Sequence, residues 1–374
     1  MECKTDIDRD SWCLLGLPFD VVDLENSVGY VEEAITDNKS CFFSTPNLNF
    51  VIATQADNDF FQSVVDSDLI VADGMPLIWV AKLLGIPLTE RVAGSTLFDE
   101  LSKRPREKKI KVFFFGGQEG VAEKAYRALN KTSKGMTSCG FYDPGFVSIE
   151  QMSSAAIIDE INAAKPDFVV VALGAKKGQA WIQKNRGQLN APVISHLGAV
   201  INFVAGSVER APMVWQRFGL EWVWRIKQEP VLWKRYLLDG FAFAGLMVTK
   251  VFPLVIYDRV LKIKSGFNSP CVIEWLGDGK DVVRLVGSFK HQELQSVKVF
   301  LSSILNGKTV ELGSNNLVLD FTDVEYIDGA FIATLMLFQR ALEKQGKLLT
   351  ITNVSARIKR ILTMNNVRKR FVLK

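Results

Sequence analysis

KVFFFGGQEGVAEKAYRAL, residues 111–129, decides the fold. An apolar strand from Lys111 to Gly117 runs straight into two glycines, and Val121 to Leu129 then takes the spacing of an amphipathic helix. FVVVALG (168–174) repeats the design, PVISHL (192–197) adds a strand before Gly198, and DLIVA (68–72) is a shorter buried strand followed by a helical stretch from Pro76 to Leu84. Upstream, residues 12–65 read as strand, helix, strand, helix: LLGLPFDVV, then Leu24 to Asn38, then CFFST, then Val51 to Val65. Near-continuous apolar strands alternating with helices imply a parallel sheet covered on both faces. The expected class is α/β, with a Rossmann-like parallel sheet and helices on both faces.

A chain of 374 residues with 48% hydrophobic and 23% charged side chains can bury more than one core, so two domains are expected. The net charge of +4 is too small to imply nucleic acid, and no nucleic-acid partner is expected. Five scattered cysteines with no CxxC pair argue against a disulfide framework and for cytoplasmic folding. The opening MECKTDIDRD is charged and lacks the apolar core of a signal peptide. Two histidines, His196 and His291, lie far apart, which argues against a histidine-based zinc site and a Ser-His-Asp triad.

Between residues 205 and 264 the composition changes. Ten Lys/Arg face five Asp/Glu, and four of the eight tryptophans (Trp215, Trp222, Trp224 and Trp233) fall here. Tryptophan interleaved with cations suits a lipid headgroup interface, and equally a helix pair packing its aromatics on a sheet. The run from Tyr236 to Tyr257 carries Asp239, Lys250 and Pro253, so its longest uncharged piece is too short for the roughly 20 apolar residues of a span, and a basic helical appendage lying on the membrane surface is expected. KSGFNSP (264–270) has the composition of a linker. Beyond it, a strand pair joined through Gly277-Asp278-Gly279, a helix from His291 to Leu305, a strand at Asn316 to Phe321, and a helix, strand and helix to Met364 describe a second small α/β domain. The expected divisions are 1–204, 205–264 and 265–374.

Functional chemistry concentrates in CFFSTPNLNFVIATQADNDFFQSVVDSDLIVADGMPLIWVAKLLGIPLTERVAG, residues 41–94. Ser44, Thr45, Asn47 and Asn49 follow one buried strand, Asp73 follows another between Ala72 and Gly74, and Arg91 lies beyond. Polar residues at strand ends are where α/β proteins build sites. Asp73 suits a general base, and followed by Gly-Met-Pro before an apolar helix it also suits an N-cap. Gly116 and Gly117 suit close approach to a phosphate, or a plain tight turn; the full GxGxxG spacing and a Walker lysine are both missing.

The stretches STPNLNF, VADGMPLIWVAKLLG, ERVAGSTLFDEL, FFFGGQEGVAEKA, FYDPGF, VVVALGAKKGQAWI and AGSVERAPMVWQRFGLEWVWRIKQEP resemble, in order, the WecG/TagA/CpsF family of bacterial glycosyltransferases. The resemblance covers residues 14 to 238. It implies transfer of N-acetylmannosamine or a related sugar from a UDP-sugar donor to a polyprenyl-diphosphate-linked acceptor, in envelope, capsular or exopolysaccharide synthesis. It implies that Asp73 is the base, that Thr45, Asn47 and Arg91 line the sugar pocket, and that the family's nucleotide-contacting Gln is replaced or displaced by one position, to Gln179; Gly116 and Gly117 are the candidate donor-phosphate contacts of the residue reading above. Arg210, Arg217 and Arg225 are implied to close over the diphosphate at the inner face of the membrane. No DxD pair is present, so an inverting, metal-independent transfer without a cofactor is expected.

Three positions depart from the family pattern: Lys176-Lys177-Gly178-Gln179 where a Pro-Lys-Gln-Glu run is usual, Asn202 for an acidic residue, and Leu232 for a basic one. Gly178 also keeps open a non-catalytic scaffold. LVLDFTDVEYIDGAFIATL (317–335) resembles the phosphorylation loop and helix of STAS domains, with Asp328-Gly329 where a serine or threonine would stand. That module is expected to dock a protein partner or self-associate, without a serine switch.

Overall fold

The computed structural model describes residues 6–212, 214–215, 219–265, 269–276, 281–307 and 316–374. Arg217 and the expected turn at Gly277-Asp278-Gly279 lie outside the described residues. In chain order the strands are β1 Ser11–Leu14, β2 Leu17–Asp20, β3 Cys41–Ser44, β4 Leu69–Ile70, β5 Ile110–Gly116, β6 Met136–Tyr142, β7 Phe168–Ala172, β8 Val193–His196, β9 Val272–Leu276, β10 Val282–Phe289, β11 Asn316–Ile327, β12 Leu348–Thr352 and β13 Val372–Leu373. The chain divides into two compact units, one of Val22–Ile78 and Leu88–Phe241, the other of Met1–Val21, Trp79–Pro87 and Ala242–Lys374. Compactness therefore cuts the chain differently from the sequence boundaries at 204 and 264.

The larger unit holds a six-stranded sheet in the order β4-β3-β8-β7-β5-β6, parallel throughout. The two-residue alternation of its strands feeds two cores. Val112, Phe114 and Val170 face one, with the helices Leu24–Thr36, Gly94–Lys103 and Val121–Thr132, while Phe113, Phe115, Val169 and Val171 face the other, with Ala155–Ala163 and Ala175–Asn185. The stretch expected as one helix from Val51 to Val65 is two, Leu48–Ala56 and Asn58–Val65. Asp57 ends the first, and its carboxylate caps the second by accepting from Phe60 N–H at 2.9 Å. The chain leaves β5 toward β6 and leaves β7 back toward β8, so strand order reverses between β5 and β7. Such a reversal opens a crevice at the carboxyl ends of the strands.

LLGLPFDVV does not join that sheet. Leu15 and Gly16, both at positive φ (53° and 96°), make a two-residue turn that folds β1 antiparallel onto β2. This hairpin belongs to the smaller unit, whose mixed five-stranded sheet runs β13-β12-β11-β10-β9 with only β9 antiparallel to its neighbour. The helix Gly329–Lys344 is buried nearly all round, from Ala330 to Phe338 without interruption. A helix apolar on every face needs cover on both sides. The sheet supplies one side and the hairpin the other: Trp12 and Cys13 O crowd the Cα of Gly329, and Trp12 lies 5.3 Å from the His291 ring. His291 Nε2 meets Asp10 at 2.9 Å, and Lys298 Nζ donates to Arg9 O at 2.8 Å.

The segment Pro230–Leu261 forms one helical run of 32 residues, its most apolar 18-residue window having mean hydropathy 1.7 with 6% of it buried. At 1.5 Å per residue it extends about 48 Å, so length does not prevent it from crossing a membrane, contrary to the sequence argument. Pro253 fits because the turn Met247–Val251 is a π-turn, with Phe252 N–H reaching back to Met247 O. The wider turn relieves the clash of the proline ring with the preceding carbonyl. Asp239 accepts from Asn49 Nδ2 at 3.1 Å, and Lys250 Nζ donates to Thr363 O at 3.0 Å, so the two charges between Tyr236 and Tyr257 have protein partners.

Phe19 is fully buried in the hairpin. Phe19→Ala is expected to cost about 3–5 kcal/mol and to speed amide exchange along residues 329–344 while leaving that of β5 unchanged, as read by hydrogen-exchange mass spectrometry of the full chain.

Candidate active site

The loops after β3 and β4 are tied to each other by backbone bonds. Val71 N–H donates to Ser44 O at 3.0 Å, Asp73 N–H to Pro46 O at 3.0 Å, and Val92 N–H to Ala72 O at 2.9 Å. The stretch 44–47, Asp73 and the chain approaching Arg91 are thereby fixed side by side at the carboxyl end of the sheet. Gly74, at φ 146°, turns the chain into the helix Met75–Leu84. The Asp73 carboxylate accepts from Gly94 N–H. Gly94 is also where Thr45 arrives: a Cβ on Gly94 would sit 3.2 Å from Thr45 Oγ1 and 2.4 Å from Leu197 Cδ2, so only glycine lets these groups converge.

Three further charges act on Asp73: Arg91, then Glu221, then Arg225. Glu221 and Arg225 stand one turn apart on the helix Glu221–Gln228. Arg91, 15% exposed, donates through Nη1 to Glu221, itself 30% exposed. Arg225 reaches Glu229 at 3.3 Å, and its Nε is buried with no partner. Burial raises the Asp73 carboxyl and Glu221 adds to it, while Arg91, Arg225 and the Gly94 amide pull it down, leaving it at about 6. A carboxylate in that range is mostly ionised at neutral pH, yet basic enough to take a proton from a hydroxyl during attack.

The other expected site residues fall elsewhere. Asn47 caps the helix Leu48–Ala56, accepting from Phe50 N–H at 3.2 Å, with its Cβ near Gly74. Arg210 donates to Asp99 Oδ2 at 3.0 Å and to Ser95 O and lies over the Phe203 ring, one helix away from Asp73. Gly116 and Gly117 stand at the strand-order reversal with φ of 95° and 104°. A Cβ on Gly116 would meet Ala172 O at 2.8 Å, and Gly117 N–H already donates to that oxygen, so the pair makes a tight turn between strand ends. Gln179 is 1% exposed and donates to Ser44 Oγ at 2.8 Å, bracing the 44–47 loop from below. Gly178 has a packing cause, since a Cβ there would fall 2.2 Å from His196 Cδ2. Among the described residues, no group of three or more His, Cys, Asp or Glu is placed to hold a metal ion.

Sequence reasoning missed Glu221 and Gly94. The spacing Glu221, Arg225, Glu229 was a signal for the first, because three alternating charges at four-residue steps share one helix face.

Residues 12–254 match the model of the glycosyl transferase WecG/TagA/CpsF family, and residues 276–373 match a STAS domain model. An N-acetylglucosaminyldiphosphoundecaprenol N-acetyl-β-D-mannosaminyltransferase of Bacillus spizizenii is 33% identical over 217 residues, covering 58% of this chain and 82% of that protein. Proteins of the same description from Bacillus subtilis and Staphylococcus aureus are 28% and 26% identical, each covering 59% of this chain and 85% of its own length. Among solved structures, the anti-sigma factor antagonist SpoIIAA in its unphosphorylated form aligns with 28% of this chain and 87% of its own, at 14% identity and a TM-score of 0.24.

Folding lifts Asp73 from its ordinary value of 3.8 to about 6, so the folded chain holds the proton more tightly than the unfolded one. The stability tied to that proton is complete below about pH 4 and lost as pH rises through 6. Asp73→Asn is therefore expected to be more stable than the wild type at pH 8, by about 3 kcal/mol, with most of the advantage gone at pH 4, as measured by denaturant unfolding at both pH values.

Proposed function

The chain belongs to the WecG/TagA/CpsF family of glycosyltransferases, and from that premise we propose that it transfers N-acetylmannosamine, or a close relative, from a UDP-sugar to a polyprenyl-diphosphate-linked N-acetylglucosamine. The observation that carries the reading is the Asp73 carboxylate, set between Gly94 N–H, Arg91 and Arg225 and held near 6. Asp73 takes the proton from the acceptor hydroxyl as its oxygen bonds to the anomeric carbon. The bond from that carbon to the diphosphate oxygen breaks, and UDP leaves with the electron pair. One base and one displacement invert the anomeric centre.

Arg91 and Arg225 answer the charge that grows on the leaving diphosphate, which makes a metal ion unnecessary in this mechanism. Thr45 and Asn47 border the sugar, Arg210 extends the cationic side toward the donor, and Arg217, outside the described residues, is assigned to the donor by the family pattern alone. Gly116, Gly117 and Gln179 support the pocket through backbone and loop placement. The functional division follows the sequence: a transfer core in 1–204, a basic appendage in 205–264 and the STAS domain in 265–374.

The appendage holds the enzyme on the inner face of the membrane, where its lipid-linked acceptor lies. Supporting this, Leu238, Phe241, Val248 and Ile256 are each more than 60% exposed along one helical run, with Lys227, Lys234 and Arg235 at its start. The STAS domain serves a protein partner or self-association through surfaces other than the helix face that the hairpin occupies. The scaffold alternative loses its support, because Gly178 answers to the His196 ring.

With UDP-N-acetylmannosamine and a short-chain prenyl-diphosphate-N-acetylglucosamine acceptor, the wild type is expected to form product and Asp73→Asn to lose about 10²–10⁴-fold in kcat. Absence of transfer by the wild type with every UDP-sugar tried would remove the reading. Replacing Leu238 and Phe241 together by glutamate is expected to abolish co-flotation with anionic vesicles, with circular dichroism unchanged.

A further inference from the structure

We propose that Glu221 is a positioning residue for the transfer reaction: its carboxylate holds the Arg91 guanidinium away from Asp73 and leaves Asp73 free to receive the acceptor proton. The inference rests on the transfer reading above. Arg91 is close enough to Asp73 to act on its charge, yet its hydrogen bond goes to Glu221, and the bond that Asp73 accepts comes from Gly94 N–H. A mostly buried guanidinium deprived of Glu221 would have Asp73 as the carboxylate within reach. Direct pairing with arginine depresses a carboxyl by about 1–3 pH units, and so weakens it as a base.

The same helix repeats the device one turn on. Arg225, the other cation acting on Asp73, is drawn to Glu229, so each arginine is held by a carboxylate other than the base. The charged groups that act on Asp73 among the described residues are therefore Arg91 from its loop and Glu221 and Arg225 from the helix Glu221–Gln228, with Glu221 working in the direction that keeps the base strong. Both cations remain beside the site to meet an arriving diphosphate, to which guanidinium groups bond in forked geometry.

The test uses the full chain with Glu221→Gln and Glu221→Asp. The Asp73 carboxyl is titrated directly by carbon-13 NMR, and kcat/KM is followed against pH. In Glu221→Gln the midpoint of the Asp73 titration and the acidic limb of kcat/KM are both expected to move down by about one pH unit, and kcat at pH 8 to fall about tenfold. Glu221→Asp is expected to restore both. An Asp73 midpoint in Glu221→Gln that stays put or moves up overturns the inference, even if activity falls, and so does an equal downward shift when Glu221→Gln is made in an Arg91→Met background, which would be loss of the Glu221 charge alone. A wild-type chain that transfers no sugar would sink the function itself, and the NMR midpoint, which needs no turnover, separates the two failures.

Discussion

The ion pair between Arg91 and Glu221 joins two parts of the chain 130 residues apart and sets the charge beside Asp73. The strand-end loops after β3 and β4 supply a carboxylate, a hydroxyl and tight glycine turns, and they contribute one cation. The helix Glu221–Gln228 supplies the second cation and the counter-charge. None of the residues on that helix is buried, so it has little hydrophobic attachment of its own to the sheet. Polar contacts must then do much of the work of docking it, and Arg91–Glu221 is the one that acts on Asp73. A partly buried pair of this kind is weak evidence of net stability but a strong constraint on register, because breaking it strands a charge.

Most of the parallel sheet was legible because β5, β7 and β8 are largely apolar and run into glycine, a pattern that both sheet faces impose, whereas the edge strand β6, MTSCGFY, carries no such run. What escaped was set by tertiary contact. LLGLPFDVV reads as a strand on composition alone, and the fold-back at Leu15-Gly16 depends on a non-glycine residue accepting positive φ, which no local preference announces. Its partner, the helix Gly329–Lys344, lies more than 300 residues away, and only the lack of any polar face on that helix hinted that a second layer must cover it. Asp57 had the residue type of a cap, but a helical run with one aspartate reads equally well as continuous. In the helix from Pro230, charges and a proline counted against length in the sequence, whereas a π-turn and two hydrogen-bonded partners accommodate them in the fold.

For the site, residue types were legible and their roles were less so. Arg91 and Arg225 act on the charge of Asp73, and Thr45 meets Gly94 beside it, whereas Gly116 and Gly117 make a tight turn and Gln179 braces Ser44. For Gln179 the orientation is a matter of burial, which sequence does not encode residue by residue. Gln179 is polar and adjacent to a glycine at the start of a helix, the position of a ligand contact, but the helix turns it inward. Glu221 went unread because a carboxylate in a basic segment looks like ordinary charge balance until its bond to Arg91 is seen.

Beneath the site, the inward turn of Gln179 has a consequence. Its amide donates to Ser44 Oγ, Ser44 Oγ shares a hydrogen bond with Ser67 Oγ at 2.6 Å, and Ser195 Oγ donates to Phe43 O at 2.7 Å. His196 completes the layer with Nε2–H on Leu173 O and its ring filling the space that Gly178 leaves. These bonds link the ends of β3, β7 and β8 with the chain entering β4, all of them buried, where leaving a polar group unpaired is costly and each bond therefore fixes geometry. A loop such as 44–47 ordinarily carries the mobility of a connection, but this one stands on a hydrogen-bonded floor. The departure at Gly178-Gln179 then reads as a single packing solution: glycine makes room for the histidine ring, and the next residue spends its amide on the serine under Thr45. Rigid strand ends hold Asp73 and Thr45 in place, while the lightly attached helix that brings Glu221 and Arg225 is left as the part of the candidate site with the most freedom to adjust.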